Sequence, residues 1–117
     1  MSPAELRWTL SPERARVRVR LEGELDLSTA ATFHEAVLDL MENGWSTILV
    51  DLGGLTFMDS SGLRTAFELD NEASRRGIAL RLTGATDDIR RLFSLTGLSR
   101  RLHVAPGTNG QVHEAEA

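Results

Sequence analysis

The chain has 117 residues, 41% of them apolar and 26% charged, the size and balance of a single folded domain and not of a disordered segment. A net charge of -4 argues against direct nucleic-acid binding, which needs an electropositive face. The absence of cysteine excludes disulfide scaffolds, thiolate zinc sites and thiol nucleophiles.

All 13 basic residues are arginine, so no lysine is present for a Schiff base or a P-loop. Met1-Ser2-Pro3-Ala4-Glu5 carries no signal-peptide pattern, and no apolar run reaches the roughly 20 residues of a membrane span. A cytoplasmic location without membrane insertion is expected.

In chain order, Glu5 to Leu10 reads as a first strand, with Ser11-Pro12-Glu13 as the turn after it. Val17, Val19 and Leu21 then alternate with Arg16, Arg18 and Arg20, the period of a strand with one buried and one wet face. Ser28 is placed to cap a helix running to about Asn43, with Phe33, Val37, Leu40 and Met41 on one face and Gly44 as its stop. Thr47 to Leu52 is nearly continuous in apolar residues, as an inner strand requires. Gly53-Gly54 reads as a turn.

Asp59 or Ser60 opens a second helix, with Leu63, Ala66, Phe67 and Ala73 inward and Gly77 closing it. Ile78 to Leu82 is a further alternating strand. Thr86-Asp87-Asp88 suits the N-terminus of a third helix that buries Ile89, Leu92 and Phe93 and stops at Gly97. Leu102 to Val104 is a last short strand. The domain ends near 105, and 106–117, polar and without large core residues, is expected to be a disordered tail. The order β-β-α-β-α-β-α-β predicts an α/β domain: a mixed sheet of about five strands with helices packed mainly on one face.

Several chemistries fail on spacing. His34, His103 and His113 share no metal spacing, and Leu38 stands where a zinc-protease motif begun by His34-Glu35 needs its second histidine. Ser60-Ser61 lacks the elbow that presents a serine nucleophile, and Gly53-Gly54 lacks the rest of a phosphate cradle. The arginines at 16, 18, 20 and 81 read as a solvated sheet face. What remains is Phe57-Met58-Asp59-Ser60-Ser61-Gly62-Leu63, between a buried strand and an amphipathic helix. It supports two readings: a helix cap followed by small residues, or an exposed hydroxyl open to phosphorylation, with unpaired N–H groups to receive the phosphate.

Three blocks resemble a known family. Leu21-Glu22-Gly23-Glu24-Leu25-Asp26 with Ser28-Thr29-Ala30 is similar to the Gly-Glu-Leu-Asp block of the STAS domain. Phe57 to Leu63 resembles its phosphorylation loop, and Arg91-Leu92-Phe93-Ser94-Leu95-Thr96-Gly97-Leu98 its C-terminal helix block. The resemblance is to bacterial anti-sigma factor antagonists. It implies a non-enzymatic switch without cofactors, which in its unphosphorylated form binds an anti-sigma factor that is also a serine kinase and thereby frees a sigma factor. A phosphatase reverses the modification. Carried over, Ser60 is the phosphate acceptor, with Ser61 as the fallback. Glu24, Leu25, Asp26, Asp59, Ser60, Ser61, Gly62 and Leu63 form the partner-binding set. Leu27 is a further apolar residue of the patch, and Gly62 is read as admitting a partner's backbone to the helix's first turn. One alternative keeps the fold in a scaffold or sensor of a membrane-transport or lipid-trafficking assembly. Another makes Ser60 the nucleophile of a small hydrolase, which lacks a credible base.

Overall fold

A hairpin opens the chain and forms one edge of its sheet. In the computed structural model, which describes residues 5–96 and 104–106, β1 (Leu6–Glu13) pairs antiparallel with β2 (Arg16–Leu25). β1 runs through Ser11-Pro12, where a turn was expected, and the turn is Arg14-Ala15, with Arg14 at φ 60°. Pro12 is tolerated because β1 is an edge strand, where a missing donor can face away from the ladder.

The order continues as α1 (Ala30–Glu42), β3 (Thr47–Met58), α2 (Ser60–Arg75), β4 (Ala79–Ala85), α3 (Asp87–Thr96) and β5 (Val104–Pro106). The sheet order is β1-β2-β3-β4-β5, with β2 to β5 parallel. Each parallel strand thus lies beside its successor, and crossovers of one hand place all three helices on the same face. The expected mixed five-stranded sheet with one helix-covered face is the architecture found. Gly97, Leu102, His103 and the tail from residue 107 lie outside the described residues.

The covered face holds the core. Val17, Ile48 and Leu80 are ladder neighbours, as are Val19, Val50 and Leu82. They pack with Phe33, Val37 and Met41 of α1, Leu63, Ala66 and Leu69 of α2, and Ile89 and Phe93 of α3. Phe67, expected inward, is only half buried, and Leu69 takes the deeper position. Phe93 is fully buried, so Phe93→Ala is expected to cost about 3–5 kcal/mol, readable by denaturant unfolding.

On the other face, Arg18 and Arg20 reach the Asp51 carboxylate at 3.5 and 3.2 Å. Arg16 pairs with Glu13 at 2.7 Å, and Arg7 with Glu22 at 3.6 Å. The arginine stripe is therefore largely neutralised by the chain's own carboxylates.

Gly53-Gly54 is the main departure from expectation. It is not a turn but the middle of β3, which runs on to Met58. Two register shifts against β2, between Arg20 and Glu22 and between Gly23 and Glu24, each give β3 an extra residue. Leu52, Leu55 and Met58, three apart instead of two, therefore all reach the core. Gly54 is required there, since a Cβ on it would run into the Leu21 carbonyl of the adjoining strand.

Candidate functional site

β2, β3 and β4 are parallel, so their C-terminal ends share one edge of the domain, where the loops into α1 and α2 meet. Leu25 pairs with Met58, and the Asp59 N–H donates to the Leu25 carbonyl at 3.3 Å. The Glu24-Leu25-Asp26 and Asp59-Ser60-Ser61 segments are thus direct neighbours.

Asp59 is the N-cap of α2, in extended conformation, and its Oδ1 accepts from the N–H groups of Ser61 at 2.8 Å and Gly62 at 3.2 Å. The Leu63 N–H donates to the Asp59 carbonyl at 3.1 Å. The segment is a capped helix start, and Ser60 beside the cap is exposed. The expected row of unpaired N–H groups is not present, however, because the Asp59 carboxylate already occupies those of Ser61 and Gly62. Replacing Asp59 by Ala should cost about 0.5–2 kcal/mol and fray the first turn of α2, measurable by thermal unfolding and amide exchange.

The α1 loop is closed by its own side chains. The Asp26 carboxylate accepts from the Ser28 N–H at 2.9 Å and the Ser28 hydroxyl at 2.7 Å. The Thr29 hydroxyl donates to the Glu24 carbonyl at 2.9 Å and accepts from the Asp26 N–H at 3.0 Å. Ser28, expected as the helix cap, is therefore committed to Asp26, and Thr29 occupies the cap position without a side-chain cap bond. The Ser28 hydroxyl holds the Asp26 carboxyl below its ordinary range against the opposing effect of burial, and the Ser28 and Thr29 N–H groups add to the lowering. A lowered folded pKa stabilises the loop above the ordinary Asp value of about 3.9 and loses its effect as pH falls through the lower folded value. The Ser28 amide should therefore keep its hydrogen-exchange protection from neutral pH to about pH 4 and lose it only in stronger acid.

Three members of the expected partner-binding set are not on the surface. Leu25 is 1% exposed and Leu63 3%, both in the core, because each closes the apolar face of its element. Gly62 is buried as well. Its hydrogen faces Leu25, where a Cβ would lie 2.8 Å from the Leu25 Cγ and carbonyl oxygen, so it admits the chain's own Leu25 and not a partner's backbone. Glu24, Asp26, Asp59 and Ser61 are half-buried. The apolar surface is instead supplied by Leu27, 80% exposed, and Phe57, 49% exposed. Phe57 was not singled out as a surface residue. The register shift at Thr56 turns it outward, and only the unusual Leu55-Thr56-Phe57-Met58 spacing hinted at it. Among the described residues, no three His, Cys, Asp or Glu side chains gather as a metal would require, and no helix is long and apolar enough to cross a membrane.

This arrangement of sheet, loops and capped helix has clear relatives. A family model described as the Mlab STAS domain matches residues 8–105. The anti-sigma-B factor antagonist of Staphylococcus aureus (strain NCTC 8325 / PS 47) is 33% identical over 90 residues, 77% of this chain and 83% of that protein. An anti-sigma factor antagonist from Mycobacterium paratuberculosis shares the fold with a TM-score of 0.81 at 18% identity, over 96% of this chain and 92% of the other. The antagonist SpoIIAA in its unphosphorylated form matches with a TM-score of 0.75 at 25% identity, over 94% and 93% of the two chains. The phosphorylated form of the Bacillus protein matches at 0.71 and 22%, over 95% and 100%. The chain belongs to the STAS-domain family of anti-sigma factor antagonists, regulators and not enzymes.

Proposed function

We propose that this protein is a cytoplasmic partner-switching antagonist whose unphosphorylated form binds an anti-sigma factor with serine-kinase activity and so releases a sigma factor. Phosphorylation of Ser60 by that kinase ends the interaction, and a phosphatase restores it. The observation that carries this reading is the exposed Ser60 beside the Asp59 cap, on the same edge as exposed Leu27 and Phe57. Those two side chains offer apolar contact area, and Glu24, Asp26 and Asp59 set an acidic surround. The matches to both the unphosphorylated and phosphorylated forms of SpoIIAA, with TM-scores of 0.75 and 0.71, support a switch that keeps one fold in both states. Ser61 is the weaker acceptor, since it is half-buried and its N–H is tied to Asp59.

The test is reconstitution with the purified anti-sigma factor and its sigma factor. Wild-type protein and Ser60→Ala should both displace the sigma factor, whereas protein carrying phosphoserine at 60 should not. Failure of the unmodified protein to displace it would favour the scaffold reading of the fold.

A further inference from the structure

A phosphate on Ser60 would enter a surround that does not favour it. Asp59 is its chain neighbour, and the Glu24–Asp26 loop adjoins Asp59 through the bond to the Leu25 carbonyl. The helix N–H groups that would normally take an anion, those of Ser61 and Gly62, are held by the Asp59 carboxylate. A dianion there needs a cation, and α2 carries one a single turn away.

We propose that Arg64 is the intramolecular counter-ion of a phosphate on Ser60, an inference that rests on the reading of Ser60 as the acceptor. Ser60 is the first residue of α2, and Arg64 stands four positions on, so their Cβ atoms lie on one helix face about 5–6 Å apart. Helical side chains lean toward the N-terminus and cover the preceding turn, which puts a phosphate on Ser60 within the reach of the Arg64 side chain. Arg64 is exposed and, among the described residues, makes no ion pair. By contrast, Arg75, the last residue of the same helix, and Arg76, its C-cap, are both committed to Glu72, at 3.3 and 2.7 Å. A guanidinium presents a planar fork of donors matched to phosphate oxygens. Unmodified Ser60 leaves Arg64 free on the partner-facing edge. Phosphorylated Ser60 draws it into a contact within the chain, so modification both adds negative charge and removes a free positive one.

Protein with phosphoserine installed at position 60 during translation separates this proposal from the identity of any kinase. Phosphorus NMR titration reads the second ionisation of the phosphate, ordinarily near pKa ~6. An adjacent guanidinium favours the dianion, so the wild-type background should titrate at least about half a unit below Arg64→Gln. Arg64→Lys should recover part of the shift, and Arg75→Gln, at the far end of α2, should leave the midpoint unchanged. Equal midpoints for wild type and Arg64→Gln would overturn the proposal, as would equal movement by Arg64→Gln and Arg75→Gln. Failure of any kinase to modify Ser60 would instead count against the reading of the acceptor, and the titration would still report on the pair.

Discussion

Protein phosphorylated at Ser60 is expected to bind its anti-sigma factor more than a hundredfold more weakly than unmodified protein, with a nearly unchanged circular dichroism spectrum. The phosphate adds roughly -1.5 to -2 charges at pH 7, next to Asp59 and beside the loop of Glu24 and Asp26. A partner surface shaped around a bare hydroxyl, offering no counter-ion of its own, must bury a bulky charged group that a single guanidinium of this chain only partly balances, or withdraw. An imperfectly paired buried charge costs about 3–5 kcal/mol, which corresponds to the stated loss at about 1.4 kcal/mol per tenfold. The domain itself should tolerate the change. Ser60 is exposed, and the cap bonds of Asp59 hold the first turn of α2 independently of the Ser60 side chain. Ser60→Asp is smaller and singly charged and should reproduce only part of the effect. Isothermal titration calorimetry of the three forms measures it. A large loss of helical signal on phosphorylation would replace local charge with refolding as the mechanism.

Leu25→Ala and Leu27→Ala, two residues apart, should behave in opposite ways. Leu25 sits beneath both loops, fully buried, against Gly62. Truncating it leaves a cavity in a core that relaxes only partly, at a cost of about 2–5 kcal/mol of stability. Binding should weaken too, although Leu25 is buried, because the Glu24–Asp26 loop loses its seat against α2. Leu27, exposed at 80%, has little to lose on folding, so Leu27→Ala should change stability by no more than about 0.5 kcal/mol. Its cost should appear in affinity, at about 1 kcal/mol or more if it is a central contact. Chemical denaturation paired with calorimetry separates the two. A stable Leu25→Ala protein with impaired binding alone would mean that Leu25 is a surface contact after all.

That contrast marks where the sequence was legible and where it was not. Element order and the faces of α1 and α3 were readable because a helix period or a strict alternation, as at Val17-Val19-Leu21, depends on local pattern alone. The helix pattern likewise placed Asp59 or Ser60 at the start of α2, and the geometry found there is a capped helix start with Ser60 exposed. Long-range features were not legible. The two register shifts of β3 depend on which strand lies beside it; they turn Gly53-Gly54 from an expected turn into strand interior and rotate Phe57 outward. For the same reason Gly62 read as an opening for a partner, when the residue it accommodates is Leu25, 37 positions earlier in the chain. Ser28 lost its expected cap role to a competing acceptor, Asp26, two residues before it. That competition is decided by loop geometry and not by residue type.

Phosphate mapping after incubation of the purified protein with its anti-sigma factor and Mg-ATP tests directly whether Ser60 is the switch. A single phosphate is expected, located on Ser60 by peptide mass spectrometry, absent from Ser60→Ala and retained in Ser61→Ala. Full phosphorylation of Ser60→Ala, with loss in Ser61→Ala, would move the acceptor by one residue. No phosphate on either serine, with binding of the anti-sigma factor intact, would contradict the phosphoswitch itself.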